Sequence, residues 1–319
     1  MINIERWILI RNLFIIGNGF DLAHGMKTSY DDFYQYIKKK YSNLEEENNN
    51  LPEAIFGRKG GITYDEKELT EYMLNLLNHT GEWNKFESNL GEIDFFYDDY
   101  SEPVFDKEGD PDISKTMILN ESKSSVYPEL CYNLKSLFKE WIQKIRILKR
   151  YRQEYFENKF KKNNLFFTFN YTKTLEKLYN IPLENILHIH GTLPKDLIFG
   201  HNLKLEDIEI ESENIGIEYS GLEHVIYDCK NIFRKKIDEI IKKYEFFFDK
   251  IQKYNVEKIY IYGFSFSEID LPYLSEIIKN TPNNIIWEIT FHNKNDKEIF
   301  FKKLRRLGIK KKNIKLLQL

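Results

Sequence analysis

The sequence predicts an α/β fold, a doubly wound and mostly parallel sheet interrupted by a large helical insertion. Three observations carry this expectation. Short apolar runs recur at wide intervals without the alternation of a half-exposed strand, helical patterns lie between them, and one long central stretch breaks the rhythm with helices alone.

The runs NLFIIGNG (12–19), NLFFTFNY (164–171), ILHIHG (186–191) and KIYIYGFS (258–265) are β-branched or aromatic, as strands covered on both faces are. NIIWEITFH (284–292) and NIKLLQL (313–319) look similar. Helical patterns follow the first (SYDDFYQYIKKK, 29–40), the second (TKTLEKLYN, 172–180) and the fourth (SEIDLPYLSEIIKN, 267–280). Another, NDKEIFFKKLRRLG (295–308), precedes the last run and closes on Gly308, a helix C-terminal signal. From about 41 to 160 the apolar residues fall at three-and-four spacing, first Leu69, Tyr72, Met73, Leu76 and Leu77, later one long amphipathic helix from Leu130 to Leu148. Between them, DDYSEPVFDKEGDPDIS (98–114) is acidic with Pro and Gly and is expected to be a mobile loop. An irregular region at 203–228 precedes one helix through 230–254. The expected organisation is an α/β domain from 1–40 and 161–319, with 41–160 as a helical insertion.

Among 319 residues, 47 Lys and Arg nearly balance 50 Asp and Glu, so the net charge of −3 does not support a nucleic-acid partner. The basic tract KKLRRLGIKKKNIK (302–315) carries Leu and Ile at helix and strand spacing and reads as a solvated face. Cys131 and Cys229 lack metal-type spacing, which argues against a disulfide scaffold and a four-cysteine zinc site. The stretch MINIERWILIRNLFII is broken by Glu5, Arg11 and Asn12, and no apolar run reaches membrane-spanning length. The expectation is a cytoplasmic chain with no membrane segment.

Four short stretches can carry chemistry. Gly17 and Gly19 end a strand, where glycine permits positive φ and close backbone approach, so the following helix could present N–H groups to a phosphate; a bare strand-to-helix turn fits equally. Leu22 stands where the third glycine of a G-x-G-x-x-G fingerprint would be. Asp21 and His24 follow at the strand end that faces ligands in open α/β sheets, although Asp21 is also a possible N-cap. Thr168, Asn170 and Thr172 alternate at the second strand's end, facing a ligand or capping the next helix. His188 and His190 project to one side of the third strand, as a general base or a metal pair, and His201 and Asn202 form a further polar arm or a plain loop. Gly263, Ser265, Ser267, Glu268 and Asp270 lie at the last strand-to-helix turn, suited to ribose and phosphate or to capping by Ser267 and Asp270.

Together, FIIGNGFDLAHGMKTSYDDF (14–33), TFNYTKTLE (168–176), HIHG (188–191), FGHN (199–202) and GFSFSEIDLPYL (263–274) resemble the AbiH family, bacterial proteins named for abortive infection against phage, over nearly the whole chain. That family is similar to a distant branch of the sirtuin-like, Rossmann-like NAD-binding fold. The resemblance implies that Gly17 and Gly19 contact the diphosphate, Asn170 sits by the nicotinamide ribose, His190 is the catalytic histidine, and Gly263 and Ser265 hold the adenosine side. Asn18, Asp21, His24, Thr168 and Glu268 complete the expected NAD-binding set. Asn18 replaces the usual alanine, and the zinc cysteines of sirtuin deacetylases are missing.

These features give the expectation of an antiphage effector that hydrolyses NAD to nicotinamide and ADP-ribose, with His190 and Asn170 catalytic. NAD is its substrate, and neither a metal nor a cofactor is expected. Partners would be NAD and a second copy or a defence-system protein. The alternatives are an NAD or ADP-ribose sensor without turnover, and a metal-dependent nuclease or phosphodiesterase gathering Asp21, His190 and His201.

Overall fold

Every position from Leu13 to Ile16 and from Leu165 to Thr168 is buried, because both faces of the strands they form are covered. The strands are β1 (Arg11–Ile16), β2 (Leu165–Thr168), β3 (Ile186–His188), β4 (Val256–Tyr262), β5 (Ile286–Phe291) and β6 (Ile314–Gln318). They form one parallel sheet in the order β3-β2-β1-β4-β5-β6, the doubly wound order in which the chain reverses direction across the sheet between β1 and β4. The computed structural model describes residues 11–45, 49–58, 60–95, 102–213, 216–254 and 256–318, with the side chains of 210–213 excepted. The first ten residues of the N-terminal stretch and residues 98–101 of the acidic loop lie outside the described residues.

Aromatic residues dominate one face of the sheet for a visible reason. The Phe14 ring lies nearly parallel to those of Phe166 and Tyr260 at 5.1 and 4.8 Å, so neighbouring strands present a ladder of flat rings. Leu13 and Ile15 turn to the other face and join Phe167, Ile259 and Ile261 there. The helices flanking this sheet are α1 (Asn18–Ala23), α2 (Glu154–Lys159), α3 (Thr174–Tyr179), α4 (Ile237–Lys243), α5 (Glu245–Lys253), α6 (Leu271–Lys279) and α7 (Lys294–Arg306).

The chain divides into two compact units, a sheet unit (Met1–Ser29, Lys144–Ile198, Lys236–Leu319) and a helical unit (Tyr30–Gln143, Phe199–Lys235). These borders differ from the expected 41–160. The helix Tyr30–Lys40 falls in the helical unit, where Phe33 meets Phe138 and Trp141 at 5.3 and 5.2 Å. Residues 199–235 join it through Phe199, 4.2 Å from Phe138. Residues 144–160 instead belong with the sheet, since Phe160 packs on Phe14 at 4.9 Å. The single helix expected over 230–254 is three, Glu223–Phe233, α4 and α5. After the first of them the backbone leaves helical geometry to pair with His201, which donates to the Phe233 carbonyl and accepts from the Lys235 N–H. The described part of the acidic loop is a closed turn, with Asp106 N–H on Asp110 O at 2.8 Å and Asp112 N–H on Val104 O at 2.6 Å. No helix among the described residues is long and apolar enough to cross a membrane.

Candidate functional site

The strand ends set the stage. Ile16 pairs with Thr168 on one side and Tyr262 on the other, and Thr168 pairs with His188, so β3, β2, β1 and β4 end in one row. Gly17, Asn170, His190 and Gly263 therefore all emerge just past the carboxyl edge, Gly17 and Gly263 at the reversal point where open α/β sheets bind ligands, Asn170 one strand and His190 two strands away from it.

The glycines there have a different task from the one expected. Gly17 has φ −111°, and neither it nor Gly19 adopts positive φ. Their partner is Gly263, at φ +62°. A Cβ on Gly17 would lie 2.5 Å from Gly263 O, one on Gly19 2.7 Å from Gly263 Cα, and one on Gly263 2.1 Å from Phe20 N. The turns after β1 and β4 thus close backbone against backbone, which only residues without side chains allow. The N–H groups of Gly17, Gly19 and Phe20 go to Tyr262 O, Gly263 O and Gly17 O, so these three amides are not presented to a phosphate. Asn18 points its amide to Thr28 O at 2.8 Å.

Asp21 sits inside α1, whose N-cap is Gly17, so it is no cap. Its carboxylate is buried and accepts from Thr172 Oγ1 and from Thr174 Oγ1, the latter at 2.8 Å. Burial pushes its pKa from 3.8 up to about 6, against the pull of the Thr172, Thr174 and Asn170 side chains and the nearby His188. The buried carboxyl thus ionises less readily than a free one. His24, by contrast, is spent on structure. Its ring nitrogens meet Phe20 O at 2.6 Å and the Tyr179 hydroxyl, and desolvation lowers its pKa.

Asn170 is the exception in a well-bonded neighbourhood. Its backbone N–H donates to Thr168 Oγ1 at 3.1 Å and its carbonyl faces His188 Nδ1 at 2.9 Å. Yet its side-chain Oδ1 and Nδ2 are both buried without a hydrogen-bond partner among the described residues. The amide approaches Asp21 closely enough to favour its charge but makes no bond of proper geometry.

β3 ends at His188, so His190 lies two residues beyond, in a turn, and the two histidines have separate surroundings. His188 Nε2 meets Glu176 at 3.0 Å. His190 is 3 % exposed, with Nε2 3.3 Å from Asp270 Oδ1 and its ring among Phe169, Tyr171 and Tyr273. Asp270 is the N-cap residue of α6 but makes no side-chain cap bond. Its position in the sequence suits capping or a ribose contact; the fold places it against the histidine. Ser265 is exposed, and Glu268 turns away to Arg306 and Lys303 of α7, so neither joins the buried polar groups.

In the helical unit, His201 has both nitrogens engaged, Nε2 on Lys230 O at 2.9 Å and Nδ1 accepting from the Leu203 N–H at 3.2 Å. Burial lowers its pKa to about 4. It is a neutral imidazole with both ring nitrogens engaged by the protein, while each Asp21 oxygen accepts one threonine hydroxyl. Of the three groups named for the metal-dependent alternative, His201 has both nitrogens engaged within the helical unit.

No curated protein and no solved structure matches the chain. The sequence pattern of the family described as bacteriophage abortive infection AbiH matches residues 13–291, a span that runs from β1 through the glycine contact, Asn170 and His190 to the end of β5. The chain belongs to the AbiH family.

Proposed function

We propose that this chain acts in abortive infection against phage by hydrolysing the nicotinamide–ribose bond of NAD. The observation that carries the reading is Asn170, a buried amide with both its donor and its acceptor open, at the carboxyl edge of a doubly wound sheet, one strand from its reversal point. Burying such a group unpaired costs about 1–3 kcal/mol, a cost that a ligand's hydrogen bonds would offset.

In this reading Asn170 orients the ribose or the attacking water. His190 takes the water's proton as the oxygen attacks the anomeric carbon, and the nicotinamide departs neutral, needing no acid. Asp270, 3.3 Å from Nε2, orients the ring and favours the imidazolium that forms as the proton is taken. Base assistance contributes about 10²–10⁴-fold, so placement of water and ribose must supply much of the remainder. Gly17, Gly19 and Gly263 shape the wall of the site, and the diphosphate is held by other groups.

The test is cellular. NAD should fall in phage-infected bacteria that carry the wild-type chain and stay level with Asn170→Ala or His190→Ala, which should also abolish protection. Protection with constant NAD would refute the reading.

A further inference from the structure

We infer that His188 and Glu176 form a positioning pair, which presents the Asn170 amide to the bound ligand by gripping the Asn170 backbone. The inference rests on the role given to Asn170 above and gives His188 a different task from the base or metal ligand the sequence offered, with Glu176 as its partner.

Asn170 lies beyond the end of β2 and before the start of α3, in a segment with no ladder of its own. Its orientation must therefore come from specific bonds. Thr168 Oγ1 takes its N–H, and His188 Nδ1 meets its carbonyl at 2.9 Å. His188 is itself well anchored. It is the last residue of β3, paired in register with Thr168, and Glu176 in the first turn of α3 holds its Nε2 at 3.0 Å. Both ring nitrogens have a protein partner, the Asn170 carbonyl and the Glu176 carboxyl, so the ring is held in one orientation.

The pattern of satisfied and unsatisfied atoms is what separates positioning from simple stability. A segment shaped for stability alone would pair the buried amide first. Here the backbone of Asn170 is bonded at both ends while the amide is left open. The bonds fix the backbone from which the amide projects without using it.

Two polar replacements of His188 separate its two nitrogens. His188→Asn places an amide where Nδ1 was and keeps a donor for the Asn170 carbonyl. His188→Gln places it where Nε2 was, keeping the Glu176 contact and losing Asn170. NAD turnover by purified protein and phage plaquing are read together, with melting temperature as the control for folding. His188→Asn, which keeps the Asn170 bond but loses the Glu176 anchor, should lose only about 10-fold in kcat. His188→Gln should lose about 100-fold in kcat with little change in KM, the scale of a small misplacement. In an Asn170→Ala background, His188→Gln should add no further loss. Equal activity of the two His188 variants at equal melting temperature overturns the inference, as does a further loss in the Asn170→Ala background. If Asn170→Ala alone keeps full turnover and protection, the reading of Asn170 itself fails, and that single variant shows it.

Discussion

Gly263→Ala should be among the most damaging methyl groups that can be added to the sheet unit. Its φ of +62° costs an L-residue about 1–2 kcal/mol. Its Cβ would sit 2.1 Å from Phe20 N and 2.4 Å from Gly19 C, backbone atoms that cannot rotate away, and such overpacking adds about 1–3 kcal/mol. The expected loss is about 2–5 kcal/mol, a large share of the roughly 5–15 kcal/mol that holds a domain together. Two controls separate the terms. Gly308 has φ +89° with nothing within 4 Å of where a methyl would sit, so Gly308→Ala should show the conformational term alone, about 1–2 kcal/mol. Gly17→Ala, at φ −111°, should show overpacking alone, about 1–3 kcal/mol. Once one methyl has parted the two turns the second has less to displace, so Gly17→Ala with Gly263→Ala should cost less than the sum. Urea denaturation measures all four. A Gly263→Ala loss no larger than that of Gly308→Ala would mean the turns are not in contact.

Three further outcomes are expected. Asp21 is more stable neutral in the folded chain, so it favours folding fully below pH 3.8 and progressively less as pH rises through about 6, a change of about 3 kcal/mol at 1.36 kcal/mol per pH decade. Asp21→Asn should therefore match or exceed wild type in denaturant midpoint at pH 8 and lose that advantage by pH 4; a deficit independent of pH would contradict this. His201 works in the opposite sense, since its folded pKa of about 4 lies below 6.5, and stability present above pH 6.5 falls by about 3 kcal/mol as pH drops through 4. Hydrogen exchange of the helical unit should quicken over that range, and unchanged protection would tell against it. Asn170→Ala should not lower stability, and should raise it by up to about 1–3 kcal/mol, while lowering turnover by orders of magnitude, because it removes a buried amide without partners; a loss of stability matching the loss of turnover would make it structural.

Much of the sheet is legible in the sequence because its strands are covered on both faces, and an unbroken run such as Leu13–Ile16 has no other common explanation. Unit borders are harder to read. Helix Tyr30–Lys40 has the same amphipathic pattern whichever unit receives its apolar face, and that choice is made by Phe138 and Trp141, a hundred residues away. At the site, polar residues at strand ends point to Asn170, His190 and Asp21. The work of the glycines is not legible in the same way, since a turn that admits a phosphate and a turn that admits another backbone call for the same residue. His24 illustrates the same ambiguity, because only the fold shows Tyr179 and the Phe20 carbonyl taking its nitrogens. The Asp270 contact with His190 has no signal in spacing, as the two residues follow β3 and β4, strands that lie apart in the sheet with β2 and β1 between them, and only the fold brings them together.

The central claim is tested most directly by incubating the purified chain with NAD in heavy-oxygen water, with chelator present and without any peptide, and resolving the products by mass spectrometry. The account predicts nicotinamide and ADP-ribose in equal amounts, one heavy oxygen on the ribose anomeric carbon, and neither product from Asn170→Ala. NAD recovered intact from a preparation that protects cells against phage would contradict it.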